Sequence, residues 1–138
     1  MISWAEIVRQ VEARAAGRCE YCQMHQLLQG ATFHVEHVVP SSRGGRSELD
    51  NLASACPGCN LKKSDRVMAV DPETGQLVPL FNPRTDEWHD HFDWNGYELV
   101  GRSEIGRALI ALFELNHARR LKIRQAEALF GLFPPLRD

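Results

Sequence analysis

The sequence has no long hydrophobic run, no strong excess of charge of either sign, no repeat and no low-complexity tract. Its longest apolar stretch, Ala108 to Phe113, is far too short to cross a bilayer, which excludes a helical membrane span. Residues Met1 to Gln10 carry a carboxylate at Glu6 and no apolar core, so they do not read as a secretory signal, and the expected location is the cytoplasm. The 16 Lys and Arg residues nearly balance the 18 Asp and Glu residues, which excludes a uniformly basic nucleic-acid-binding tail. The balance hides segregation, however. His37 to Met68 holds five basic and three acidic residues and Arg102 to Asp138 seven and four, whereas Asp71 to Gly101 holds seven acids and only Arg84. An acidic middle facing away would leave basic flanks for a polyanion. With 43% hydrophobic and 25% charged residues in 138, the chain is globular and long enough to bury a core.

Cysteine is scarce, yet its four copies fall into two pairs, Cys19-x-x-Cys22 and Cys56-x-x-Cys59. In a reducing compartment such paired knuckles build a tetrahedral zinc site, whereas disulfides are uncommon there. Four thiolates fill every zinc position, so the ion would stabilise the fold and leave no open site for water.

Periodicity outlines the elements. Trp4, Ile7, Val8 and Val11 predict a helix over residues 3–16, with Ser3 as N-cap and Gly17 as stop. Ala31 to Val39 reads as a strand ended by Pro40, Ser41 to Ser47 as a glycine-bearing loop, and Leu52 to Ala55 as a second strand. Pro57 opens a helix running to about Val67. Beyond Met68, Asp71 to Gly75 is a turn, and Leu77 to Phe81 and Trp88 to Val100 look extended, with a hairpin signal at Asn95-Gly96. Helices are expected from Ser103 and over Ala118 to Phe130. The aromatic-rich hairpin is read as core, and the basic residues of the last helices as either a wider binding footprint or a solvated face.

Between the knuckles lie Glu36-His37-Val-Val-Pro40, Gly44-Gly45, Asp50-Asn51-Leu52 and Cys59-Asn60-Leu-Lys-Lys63. In this order and spacing they resemble the HNH endonucleases, or His-Me finger nucleases, over residues 19 to 66. The resemblance implies an α+β fold with a ββα-metal core stapled by zinc, an N-terminal helix and a C-terminal hairpin and helical extension. Residues 1–68 would form the nuclease core and 69–138 an extension packed on it. It further implies that the chain is an enzyme hydrolysing phosphodiester bonds in DNA.

Within that resemblance His37 is the expected general base, since an imidazole can accept a water proton at neutral pH. Glu36 and Asn60 are the implied ligands of a catalytic divalent ion, with Asn60 standing where other members have histidine. Their oxygens suit Mg²⁺ or Mn²⁺. Asn51 would hold the backbone of the histidine segment. His34 lies two residues before Glu36, on the same strand face, and is either an auxiliary ligand or phosphate contact or a partly buried histidine bonded to backbone. Arg43, Arg46, Lys62, Lys63 and Arg66 are candidate phosphate contacts. The competing expectation is a zinc-stapled nucleic-acid-binding module without catalysis.

Overall fold

The computed structural model describes residues 2–136. The first helix, α1 (Trp4–Ala15), begins where Ser3 Oγ accepts a hydrogen bond from the Glu6 N–H and ends at Ala16, which turns into the left-handed region ahead of Gly17. The first knuckle follows. Strand β1 (His34–His37) then pairs antiparallel with β2 (Leu52–Ala55), placing His37 opposite Leu52, and α2 (Pro57–Lys63) follows β2 directly.

Both neighbours of the first pair shorten the expected elements. The Phe33 N–H is taken by the Gln26 side chain, and Val38 and Val39 bond to Asn51, so neither flank of β1 continues the ladder. Helix α2 stops at Lys63, four residues early, because Ser64 adopts φ 50° and ψ −127°.

A strand missed in the sequence, β3 (Met68–Val70), pairs with β4 (Leu77–Pro79) across the Asp71–Gly75 turn. Buried Asp71 organises that turn: its carboxylate accepts from the Glu73 N–H and Thr74 hydroxyl and takes a two-pronged bond from Arg107 at 3.0 and 2.8 Å. The expected extended run from Trp88 begins instead with a single helical turn, α3 (Trp88–His91), before the hairpin β5 (Phe92–Asn95) and β6 (Glu98–Gly101). Gly96, at φ 62°, supplies the positive φ of that hairpin loop.

Two helices close the chain, α4 (Glu104–Phe113), capped by Ser103, and α5 (Ala118–Leu129), capped by the His117 side chain. The apolar stripe of α4 buries Leu109 and Phe113 in the core. Tyr21, inside the first knuckle, packs edge-on against Phe81 and Phe113, and Phe81 packs against Phe92. One buried cluster thus runs from the cysteines to the C-terminal hairpin. Among the described residues the architecture is mixed α+β, built from three separate antiparallel strand pairs and five α-helices. No helix among the described residues is long and apolar enough to cross a membrane.

Candidate active site and metal centre

The cysteines converge. Cys19, Cys22, Cys56 and Cys59 are all buried and free of disulfides, with their Sγ atoms within 4.8 Å of one another. Cys22 Sγ and Cys56 Sγ stand 3.8 Å apart, and a tetrahedron with metal–sulfur bonds of about 2.3 Å has edges of about 3.8 Å. Each knuckle turns its own N–H groups onto sulfur, Cys22 N–H to Cys19 Sγ at 3.5 Å and Cys59 N–H to Cys56 Sγ at 3.4 Å. Cys56 is also the N-cap of α2. Burial pushes the Cys19 and Cys59 thiols up, whereas hydrogen bonds from Cys19, Cys22 and Cys59 pull Cys56 far down. A soft divalent cation at the centre would hold all four as thiolates, and the donor set fits zinc.

At the other end of the β1–β2 pair, Asn51 clamps the chain. Its Oδ1 accepts from the Val39 N–H at 2.9 Å, and its Nδ2 donates to Val39 O at 3.0 Å and Arg46 O at 2.9 Å. The Asn51 carbonyl accepts from the Val38 N–H. The side chain and backbone of one residue therefore fix the two residues that follow His37 and the far end of the loop. Gly45 is required for this: a Cβ there would lie 1.7 Å from Val39 O and 2.8 Å from Asn51 Nδ2. The His37 imidazole is half-buried, with Nε2 2.8 Å from Ser47 Oγ. Nothing in the sequence beyond its place in the glycine loop pointed to Ser47.

Glu36 departs from its expected role. The strand stays extended through His37, so alternation turns Glu36 inward, where it is 7% exposed. One carboxylate oxygen accepts the Tyr21 hydroxyl and the other pairs with Lys63 Nζ at 3.2 Å. Burial raises the Glu36 carboxyl, while Tyr21 and Lys63 oppose the shift. Burial and then the Glu36 charge push the Tyr21 phenol well up. As found, each Glu36 oxygen has one partner and the buried Lys63 ammonium already balances the charge a cation would use, so the residue is not the ready ligand expected. Lys63 is corrected too. At 2% exposed it cannot meet a phosphate, and its ammonium also donates to the His37 carbonyl at 3.0 Å. Tyr21, Glu36 and Lys63 thereby link the first zinc knuckle to the backbone of His37.

The remaining candidates spread over the surface. Asn60 sits half-buried on α2, and its side-chain amide makes no hydrogen bond with the described residues, so its Oδ1 is available. His34 is exposed at the start of β1. Arg43 and Arg46 are exposed in the glycine loop, the first tied to Asp65 O at 2.8 Å and the second loosely paired with Glu48 at 3.5 Å. Arg66 is exposed, and Lys62 pairs with Glu114. The last helices are not a plain basic face, since Arg107 is bound to Asp71 and Arg124 is buried. A cavity of about 560 Å³ opens between Arg14, Arg18, Arg84 and Trp88, but neither His37 nor Asn60 lines it.

Residues 19–66, about a third of the chain, match the family model described as HNH endonuclease. No curated protein and no solved structure matches the chain.

Proposed function

We propose that this protein is an endonuclease that hydrolyses phosphodiester bonds in DNA, with His37 as general base. The observation that carries the reading is the fixed histidine. Lys63 bonds its carbonyl, Asn51 holds the two residues that follow it, and its Nε2 is engaged by Ser47 inside the segment that matches the nuclease family. With Ser47 accepting from Nε2–H, Nδ1 is the acceptor that takes a proton from water. As that water's oxygen bonds to phosphorus, the bond from phosphorus to the sugar oxygen breaks, and the imidazolium carries the released proton. Arg43, Arg46 and Arg66 would hold flanking phosphates, positioning the backbone without reading bases. The proposal keeps residues 1–68 as the nuclease core of ββα-metal type, residues 69–138 as an extension packed on it, and the cytoplasm as its location.

HNH nucleases use a divalent cation, and Mg²⁺ or Mn²⁺ suits oxygen donors. Asn60 offers one such oxygen, but the engaged Glu36 does not complete a site with it, so no step is assigned to the ion. That same observation favours a second reading, a zinc-stapled nucleic-acid-binding module that does not cut. Supercoiled plasmid incubated with zinc-loaded protein, with and without Mg²⁺ or Mn²⁺, separates the two. Nicked or linear product supports the nuclease. Salt-sensitive binding with no product under any condition supports the module and overturns the nuclease.

A further inference from the structure

Helix α5 brings a guanidinium against the cysteine centre. Arg120, outside the segment that matches the nuclease family, is largely withdrawn from solvent, and one of its terminal nitrogens donates to Cys59 Sγ at 3.6 Å and to Phe113 O at 3.4 Å. The other approaches Met24 Sδ at 3.9 Å. Next to Cys59, Gly58 leaves the space this approach needs, since a Cβ there would stand 3.1 Å from the same Arg120 nitrogen. Cys59 contacts this half-buried guanidinium directly, and the Glu114 carboxylate, paired with Lys62, adds a longer-range attraction. The neighbouring Arg124, by contrast, belongs to the core. It bonds to the Leu115 and Tyr97 carbonyls and lies over the Trp94 ring at 5.1 Å.

We propose that Arg120 is the counter-ion of the zinc–thiolate centre, so that docking of α5 sets how firmly the chain keeps its metal. Four thiolates around Zn²⁺ carry two net negative charges, and a buried dianion is costly unless a nearby donor offsets it. Arg120 supplies a positive charge and a hydrogen bond to one of the sulfurs. Both stabilise the thiolate form and the metal-bound state over the protonated, metal-free one. Arg120 is a positioning residue, and its role is independent of whether the protein cuts DNA.

The test is zinc release from the full zinc-loaded chain into excess chromogenic chelator, followed by absorbance, together with the rate at which the cysteines react with an alkylating agent. Loss of such a partner lowers metal affinity by roughly ten- to a hundredfold. R120M is expected to release zinc about tenfold faster or more, with its cysteines alkylated correspondingly sooner. R119Q, an exposed change one residue away, is expected to match wild type. Folded R120M with wild-type release and alkylation rates overturns the proposal. Should R120M fail to fold, the polar but uncharged R120Q decides: release about tenfold faster than wild type supports the counter-ion, and release at the wild-type rate overturns it.

Discussion

Removing the Lys63 ammonium tests the buried network beneath His37. Lys63→Met leaves Glu36 with only the Tyr21 hydroxyl as partner, at a position 7% exposed. Keeping that carboxylate ionised and unpaired would cost about 3–5 kcal/mol. Taking up a proton is the cheaper route, and it sets the ceiling. From an ordinary carboxyl value of 4.5, protonation costs about 3.4 kcal/mol at pH 7 and about 1.4 kcal/mol at pH 5.5. The lost bond to the His37 carbonyl adds about 1 kcal/mol at either pH. The variant should therefore melt well below wild type at pH 7, by roughly 13–18 °C at about 3–4 °C per kcal/mol, and by about half that at pH 5.5. The sign follows from linkage. The substitution raises the folded carboxyl further above its unfolded value, so the deficit grows as pH rises. Glu36→Gln/Lys63→Met, which buries no charge, should recover most of the pH 7 loss. Thermal melts of the three proteins at the two pH values give the answer. An equal deficit at both pH values, or a double variant no better than the single one, would refute the reasoning.

Stripping zinc with a strong chelator should cost most or all of the fold, because structural zinc binds with about 10–16 kcal/mol while a whole domain is stable by about 5–15 kcal/mol; an unchanged far-UV spectrum and melting point would count against the staple. Asn51→Ala removes three hydrogen bonds, should lower stability by roughly 2–3 kcal/mol, and should depress plasmid cleavage while zinc content stays at one ion per chain. Gly45→Ala should cost roughly 1–3 kcal/mol or more, since its new Cβ falls on Val39 O, read out as a denaturation midpoint. Arg107 beside Asp71 holds that carboxyl well below the usual carboxylate range. Its stabilisation is therefore present above pH 4–5 and fades as pH falls towards the folded value, so the melting gap between wild type and Asp71→Asn should close on acidification.

Much of the site was legible because its chemistry is written in residue types that have few other uses. Paired cysteines at two-residue spacing announced the metal centre, and the glycine pair before Asp50-Asn51 announced a tight loop, which the Gly45 contact with Val39 O explains. The helices from Ser3 and Ser103 were readable from their caps. What periodicity could not convey was which face of β1 the protein buries. Glu36 looked like a ligand because its neighbour is the histidine, but its partners come from distant segments, Tyr21 from the first knuckle and Lys63 from α2. Lys63 was expected to meet a phosphate because it stands where the resembled family has a lysine, but a buried carboxylate claims it. Strand β3 was missed because it is three residues long and has only β4 to pair with. Arg120 gave no signal, since its partner sulfur lies 61 residues earlier.

The central claim is that His37 is a catalytic base and not simply a polar residue in a binding module. The most direct measurement compares wild type with His37→Ala, both zinc-loaded and shown to bind DNA equally, in single-turnover cleavage of supercoiled plasmid with Mg²⁺ or Mn²⁺. The account predicts a loss of about 10²- to 10⁴-fold in the cleavage rate with binding intact. Equal rates for the two proteins, or no cleavage by either while both bind, would contradict it.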